Sequence, residues 1–92
     1  MKYRIKQLLS AKGNARYVPQ VRVLWFFWKN LYRDARFKEG FRFVPYCREF
    51  REAYDVIVYH RNGYRCRPSK GDRVIKFGNF KAKRTYIYKI HG

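Results

Sequence analysis

The stretch CREFREAYDVIVYHRNG, residues 47–63, decides the fold. Its Cys47, Phe50, Ala53, Tyr54, Ile57 and Val58 fall at spacings of three and four, which places them along one side of an α-helix. The pattern predicts a helix over residues 47–61, with Pro45 just ahead of it and Asn62-Gly63 behind it as a left-handed cap. The β-branched Val56, Ile57 and Val58 weaken its intrinsic propensity, so packing has to hold it. A helix with one apolar stripe needs an apolar surface to lie on, and the flanking sequence supplies strands.

On the N-terminal side, Tyr3 and Ile5 alternate with Lys2, Arg4 and Lys6, which predicts a strand with one wet face over Lys2–Leu9. The polar Ser10–Asn14 reads as a hairpin loop. The return strand starts at Arg16 or Tyr17, with Tyr17, Val21 and Val23 on one face and Arg22 on the other. Pro19 interrupts it, and a residue without an N–H belongs at an edge or a bulge. The apolar run Val23–Trp28 continues this strand or begins a short helix over Leu24–Tyr32; so short a run has no period that separates the two. Residues 29–46 show no sustained period and read as a mobile basic loop, with one short strand at Phe41–Val44. Beyond the helix, Tyr64–Asp72 is a polar connection, Val74–Phe77 a candidate strand and Gly78-Asn79 a turn. Arg84–Ile90 alternates again, with Tyr86, Tyr88 and Ile90 opposite Lys89 and His91. The order β-β-loop-α-β-β predicts a single α+β domain over residues 1–92, an antiparallel sheet of three to five strands with one helix on one face.

The charge is the most informative feature. The 92 residues hold 23 Lys and Arg against 6 Asp and Glu, a formal charge of +17, whose self-repulsion opposes compaction until a partner neutralises it. Aromatic residues make up 21% of the chain, far from the composition of a disordered segment. The predicted helix holds three bases and three acids and is neutral; residues 1–46 sum to +9 and residues 62–92 to +8. All the net charge therefore lies outside the helix. A helix with three carboxylates is a poor reader of a phosphate-lined groove, so it is expected to be the structural back of the domain.

The expected binding surface is made of strands and loops: Lys2, Arg4 and Lys6; Lys12 and Arg16; Arg33, Arg36, Lys38 and Arg42; Arg65, Arg67 and Lys70; Lys81, Lys83, Arg84 and Lys89. Basic side chains neutralise phosphates. Tyr32, Phe37, Phe41 and Tyr64 are candidates to stack on unpaired bases. Thirteen Arg against ten Lys favour planar, forked recognition over mere solubility. The expected partner is nucleic acid, DNA or RNA.

Catalytic motifs are missing. There is no glycine-rich phosphate loop, HExxH or GxSxG. His60 sits near the helix end, where a cap or core role is commoner than catalysis, and Asp34, Glu39 and Asp72 stand apart. Cys47 and Cys66 are expected to be free thiols; with His60 and His91 they have the right types for zinc but lack a close pair. The expectation is a non-enzymatic protein with no metal and no cofactor. The longest apolar run is far shorter than the roughly 20 residues that cross a bilayer. Nor does the N-terminus carry a secretory signal pattern, so the cytoplasm is the expected compartment.

Three segments carry a resemblance: Lys2-Tyr3-Arg4-Ile5-Lys6, the Tyr17-Val18-Pro19-Gln20 turn into the aromatic run ending at Trp28, and Arg51-Glu52-Ala53-Tyr54-Asp55-Val56-Ile57. Together they resemble small uncharacterised basic proteins of bacteriophages and mobile elements, which implies a host-cell cytoplasm and no particular active residue. The strand-and-helix plan also looks like the arm-binding domains of tyrosine recombinases, which lay a sheet on DNA; that is analogy of fold. Two other classes fit the same composition. One is a phage-type inhibitor or modulator docking on an acidic face of a host enzyme, with Val23–Trp28 as its anchor if that run is not core, as packing would favour. The other is a ribosomal or virion structural protein. A membrane-surface role fits less well, because no basic helical face lies opposite an apolar one.

Overall fold

The structure, a computed structural model, describes residues 2–38 and 40–91. Its elements follow the order β1 (Tyr3–Leu9), β2 (Ala15–Val23), β3 (Phe27–Asn30), β4 (Arg33–Phe37), β5 (Gly40–Val44), α1 (Phe50–Arg61) and β6 (Arg84–Ile90). The fold is α+β. A four-stranded antiparallel sheet has the order β3-β2-β1-β6, and β4 and β5 form a separate hairpin.

The alternation in β1 does what alternation predicts. Tyr3 and Ile5 face the helix, together with Val21 of β2 and Ile90 of β6. Ala53, Val56 and Ile57 of α1, together with Leu31, Cys47 and Cys66, close this cluster. The buried stripe of the helix therefore runs through Val56; Phe50 and Tyr54 are partly exposed at its margin. Phe50 packs edge-on against Tyr17 and Tyr88, at ring centroid distances of 6.0 and 5.4 Å.

The helix begins three residues later than the periodicity predicts. Cys47 forms an antiparallel bridge with Tyr17, Tyr17 N–H donating to its carbonyl (2.9 Å) and its own N–H to that of Tyr17 (2.7 Å). Those bonds hold Cys47 extended. The C-terminus ends as predicted. Gly63 takes φ 93°, its N–H donates to His60 O, and Tyr64 N–H reaches back to Tyr59 O. The Tyr59 and Tyr64 rings meet edge-on at 5.8 Å, the apolar contact that accompanies this cap.

Pro19 lies inside the sheet, not on an edge strand. Its carbonyl accepts Leu31 N–H (2.8 Å) at the point where the outer side of β2 passes from β3 to the Cys47 bridge. At that junction no ladder donor is needed. The helical alternative for Leu24–Tyr32 is overturned: residues 24–26 turn, and β3 pairs back onto β2. The loop predicted over residues 29–46 is also corrected. It contains the end of β3 and the β4–β5 hairpin; β5 is the short strand expected at Phe41–Val44, whereas β4 alternates Arg33, Ala35 and Phe37 with Asp34 and Arg36 and so has no apolar face to announce it. The candidate strand Val74–Phe77 shrinks to a parallel bridge between Val74 and Phe43.

His60 lies in the last turn of α1, half-buried, with its Nδ1 2.9 Å from the Tyr3 hydroxyl of β1. Burial, and then the nearby Arg67, hold its pKa below the ordinary 6.5. The folded state thus binds fewer protons than the unfolded chain once the pH falls below the ordinary value, and stability present above it is lost through the depressed folded pKa. The urea midpoint is expected to drop between about pH 7.5 and about pH 5.5, and to drop less in His60→Gln. Equal drops would show that His60 is not the group responsible.

Candidate functional site

The helix covers one face of the four-stranded sheet. The other face follows from the register. Arg4 stands opposite Lys89 on one side and Gln20 on the other, and Gln20 opposite Asn30. This row crosses all four strands. Arg22 and Trp28 form the row on one side of it, and Lys6, Val18 and Ile87 the row on the other. Lys2 has the same parity just ahead of β1, where its carbonyl accepts Arg22 N–H (2.9 Å).

Across β1, β2, β3 and β6 there are seven Lys or Arg residues and no Asp or Glu. The polar row is tied together laterally. Arg4 Nε donates to Gln20 Oε1 (2.7 Å), and Gln20 Nε2 donates to Asn30 Oδ1 (2.8 Å). The Arg4 guanidinium lies over the Trp28 ring, 4.1 Å from its centroid. Burial pulls the Arg4 pKa below its ordinary value, yet a guanidinium stays charged at neutral pH. A partly desolvated cation with an amide and a ring as neighbours, and no carboxylate on its strands, favours an incoming anion.

The face does not extend unbroken along β2. Arg16 belongs to it by register, but its guanidinium is caged by Tyr46, Phe77 and Phe80, with centroids at 4.0, 5.0 and 4.6 Å, and it donates to the Phe77 carbonyl. Arg16 thus pins the chain ahead of β6 to the sheet, and Val18 beside it is buried. The open part holds Lys2, Arg4, Lys6, Arg22 and Lys89.

The other predicted bases fall into separate groups. Arg36, Lys38 and Arg42 lie on the β4–β5 hairpin, with Arg36 over Phe41 (4.9 Å) and Arg42 over Phe37 (5.2 Å). Phe37 and Phe41 are both exposed. The hairpin therefore repeats the guanidinium-on-ring pairing of Arg4 and Trp28. Lys12 is in the β1–β2 turn, and Lys83 N–H donates to Leu9 O at the same end of the sheet, with Lys81 two residues ahead. Arg84 pairs with Leu9 and has the parity of the helix-covered face. Lys70 sits in the exposed turn closed by Ser69 and Asp72.

Arg33 and Arg65 are not part of the open face. They line a cleft of about 510 Å³ beside the helix, together with Tyr32, Tyr64 and three acids, Asp34, Glu52 and Asp55. Arg33 donates to Tyr46 O, and Arg65 pairs with Asp72 at 3.2 Å. Arg67 lies near His60. Half of the chain's six acids thus gather on the helical side, and Tyr32 and Tyr64 stand with them, away from the basic sheet.

Sequence reasoning passed over Arg22, Gln20, Asn30 and Trp28 as site residues. The signal was available in the parity of β2, which puts Arg22 and Gln20 on the face of Arg4 once the hairpin is accepted. It also favoured core packing for Val23–Trp28. The structure corrects this for the middle of the run: Leu24, Trp25, Phe26 and Phe27 are 73, 89, 72 and 54% exposed at the β2–β3 turn, while Val23 does pack against the core.

Burial pushes the Cys47 thiol up to about 12 and raises Cys66 as well, so both free thiols remain protonated at neutral pH. Among the described residues no group of His, Cys, Asp and Glu is placed to hold a metal ion, and no helix is long and apolar enough to cross a membrane. No protein-family model, curated protein or solved structure matches the chain.

Proposed function

We propose that the chain is a nucleic-acid-binding module, without catalytic activity of its own, that sets the helix-free face of its sheet against a sugar–phosphate backbone. The observation that carries this reading is the acid-free four-stranded sheet with its open bases on the side away from the helix. Lys2, Arg4, Lys6, Arg22 and Lys89 are the phosphate contacts. The Arg–Phe pairs of the β4–β5 hairpin add a second basic and aromatic point of contact.

The test is salt. Each phosphate neutralised contributes a slope of about −0.7 to −0.9 in log affinity against log salt. Five contacts give a slope of about −3.5 to −4.5, so raising salt fourfold weakens binding about 100- to 500-fold. A fluorescence-anisotropy titration of labelled oligonucleotides measures it. Binding that ignores salt, or no binding at low salt, overturns the proposal.

The exposure of Leu24–Phe27 favours a second reading, a modulator that anchors on an acidic protein surface through this turn. It predicts a protein partner that survives nuclease treatment and is lost when the turn is altered.

A further inference from the structure

The four exposed side chains at the β2–β3 turn need an occupant. Contiguous exposed apolar groups of this size mark an interaction site. Leu24 holds φ 55°, a region few branched residues adopt, and the turn it makes presents Trp25 and Phe26 outward. The Phe26 and Phe27 rings lie 4.6 Å apart and tilted by 37°. The next residue, Trp28, is already on the basic face beneath Arg4. The apolar turn is therefore continuous with the cationic surface.

A second copy of this chain is a poor occupant, because two bodies of +17 repel. A bilayer meeting the turn end-on would reach Arg22 and Lys29 but not the rest of the face. Arg4 pairs with Gln20, three residues behind Val23, and Lys6 with Val18, five residues behind it. At about 3.3 Å per residue those side chains stand roughly 10 and 17 Å back from the turn. A flexible polyanion can follow the face over that distance and still deliver its flat, apolar groups to the turn. A duplex cannot do so without unstacking, since its bases are already covered by one another.

Resting on the nucleic-acid reading above, we propose that the Leu24–Phe27 turn is the base-stacking end of that interface, and that the ligand is single-stranded nucleic acid. Unpaired bases stack on Trp25 and Phe26 while the backbone runs past Arg22, Arg4 and Lys6.

The experiment compares the full chain with Trp25→Ala/Phe26→Ala. The probes are a short labelled DNA oligonucleotide, its RNA counterpart, and the same DNA annealed to its complement. The parent is expected to prefer the single strands, and the two arms show whether DNA or RNA is favoured. The variant should lose about tenfold to a hundredfold on the single strands, keep its duplex affinity, and leave the salt slope unchanged. Tryptophan emission of the parent should be quenched by the single strand, and that quenching should largely vanish in the variant. Both substituted side chains are exposed, and circular dichroism confirms that the fold is retained. Equal affinity of the parent for single strand and duplex, or an unchanged variant, overturns the stacking role while the nucleic-acid reading stands. Failure of the parent to bind any of the probes overturns that reading, and this proposal with it. Emission that responds to anionic phosphatidylserine vesicles, and not to oligonucleotides, assigns the turn to a bilayer and overturns the proposal.

Discussion

Replacing Ile57 with Ala lowers the unfolding free energy by about 2–5 kcal/mol, a loss that only the equally buried Ile5 and Leu31 would match among the aliphatic side chains of the described residues. Ile57 is fully buried in the cluster that joins the helix to Tyr3, Ile5 and Val21 of the sheet. The helix depends on this packing. It is short, three of its successive residues are β-branched, and its N-cap Glu49 makes no side-chain cap. A domain of this size has a total stability on the order of 5–10 kcal/mol, and here self-repulsion of +17 works against it. The loss is a substantial fraction of that total, so the variant's urea midpoint is expected to fall most at low salt and to recover partly as salt rises. Urea unfolding of Ile57→Ala and of the half-buried Val58→Ala measures the contrast. Similar losses from both would mean that the helix does not present Ile57 to the sheet.

What the sequence made legible follows from how far each interaction reaches along the chain. β6 spans Arg84–Ile90 in both the reading and the structure, because alternation is a local property of seven residues. The cap at Gly63 was equally local. The N-terminus of the helix was not. Whether Cys47 is helical depends on Tyr17, thirty residues away, whose backbone captures it. Arg16 shows the same limit for the candidate site. Among the strand bases it was indistinguishable from Lys6, yet Phe77 and Phe80, more than sixty residues on, enclose it. Arg33 and Arg65 were grouped with the binding bases because charge was counted by segment, and the fold turns them to the acid-bearing side. The Leu24–Phe27 turn failed for another reason. An apolar run is read as core by default, and only the pairing of β3 back onto β2 shows that the chain reverses there with its rings in solvent.

The neutral helix was a statement about composition, and the register of the sheet gives it a direction. That direction supports a sharper test than net charge. Lys6→Glu/Lys89→Glu and Arg48→Glu/Arg51→Glu each change the formal charge from +17 to +13, so long-range attraction falls equally in both. The first pair lies on the open face and the second at and beside the helix, with Arg48 and Arg51 exposed. A helix is about 10 Å across, more than the Debye length of about 8 Å at physiological salt, so charges on its outer side are largely screened from a ligand on the far face of the sheet. The face variant loses two phosphate contacts and places two carboxylates against the backbone. Its affinity for oligonucleotides is expected to fall about a thousandfold, and its salt slope to shrink by about 1.4 to 1.8. The helix variant should lose no more than about fivefold, with its slope unchanged. Equal losses would mean that the chain attracts polyanions through its total charge and that no face is specialised for them. A larger loss in the helix variant would place the interface on the side of the helix.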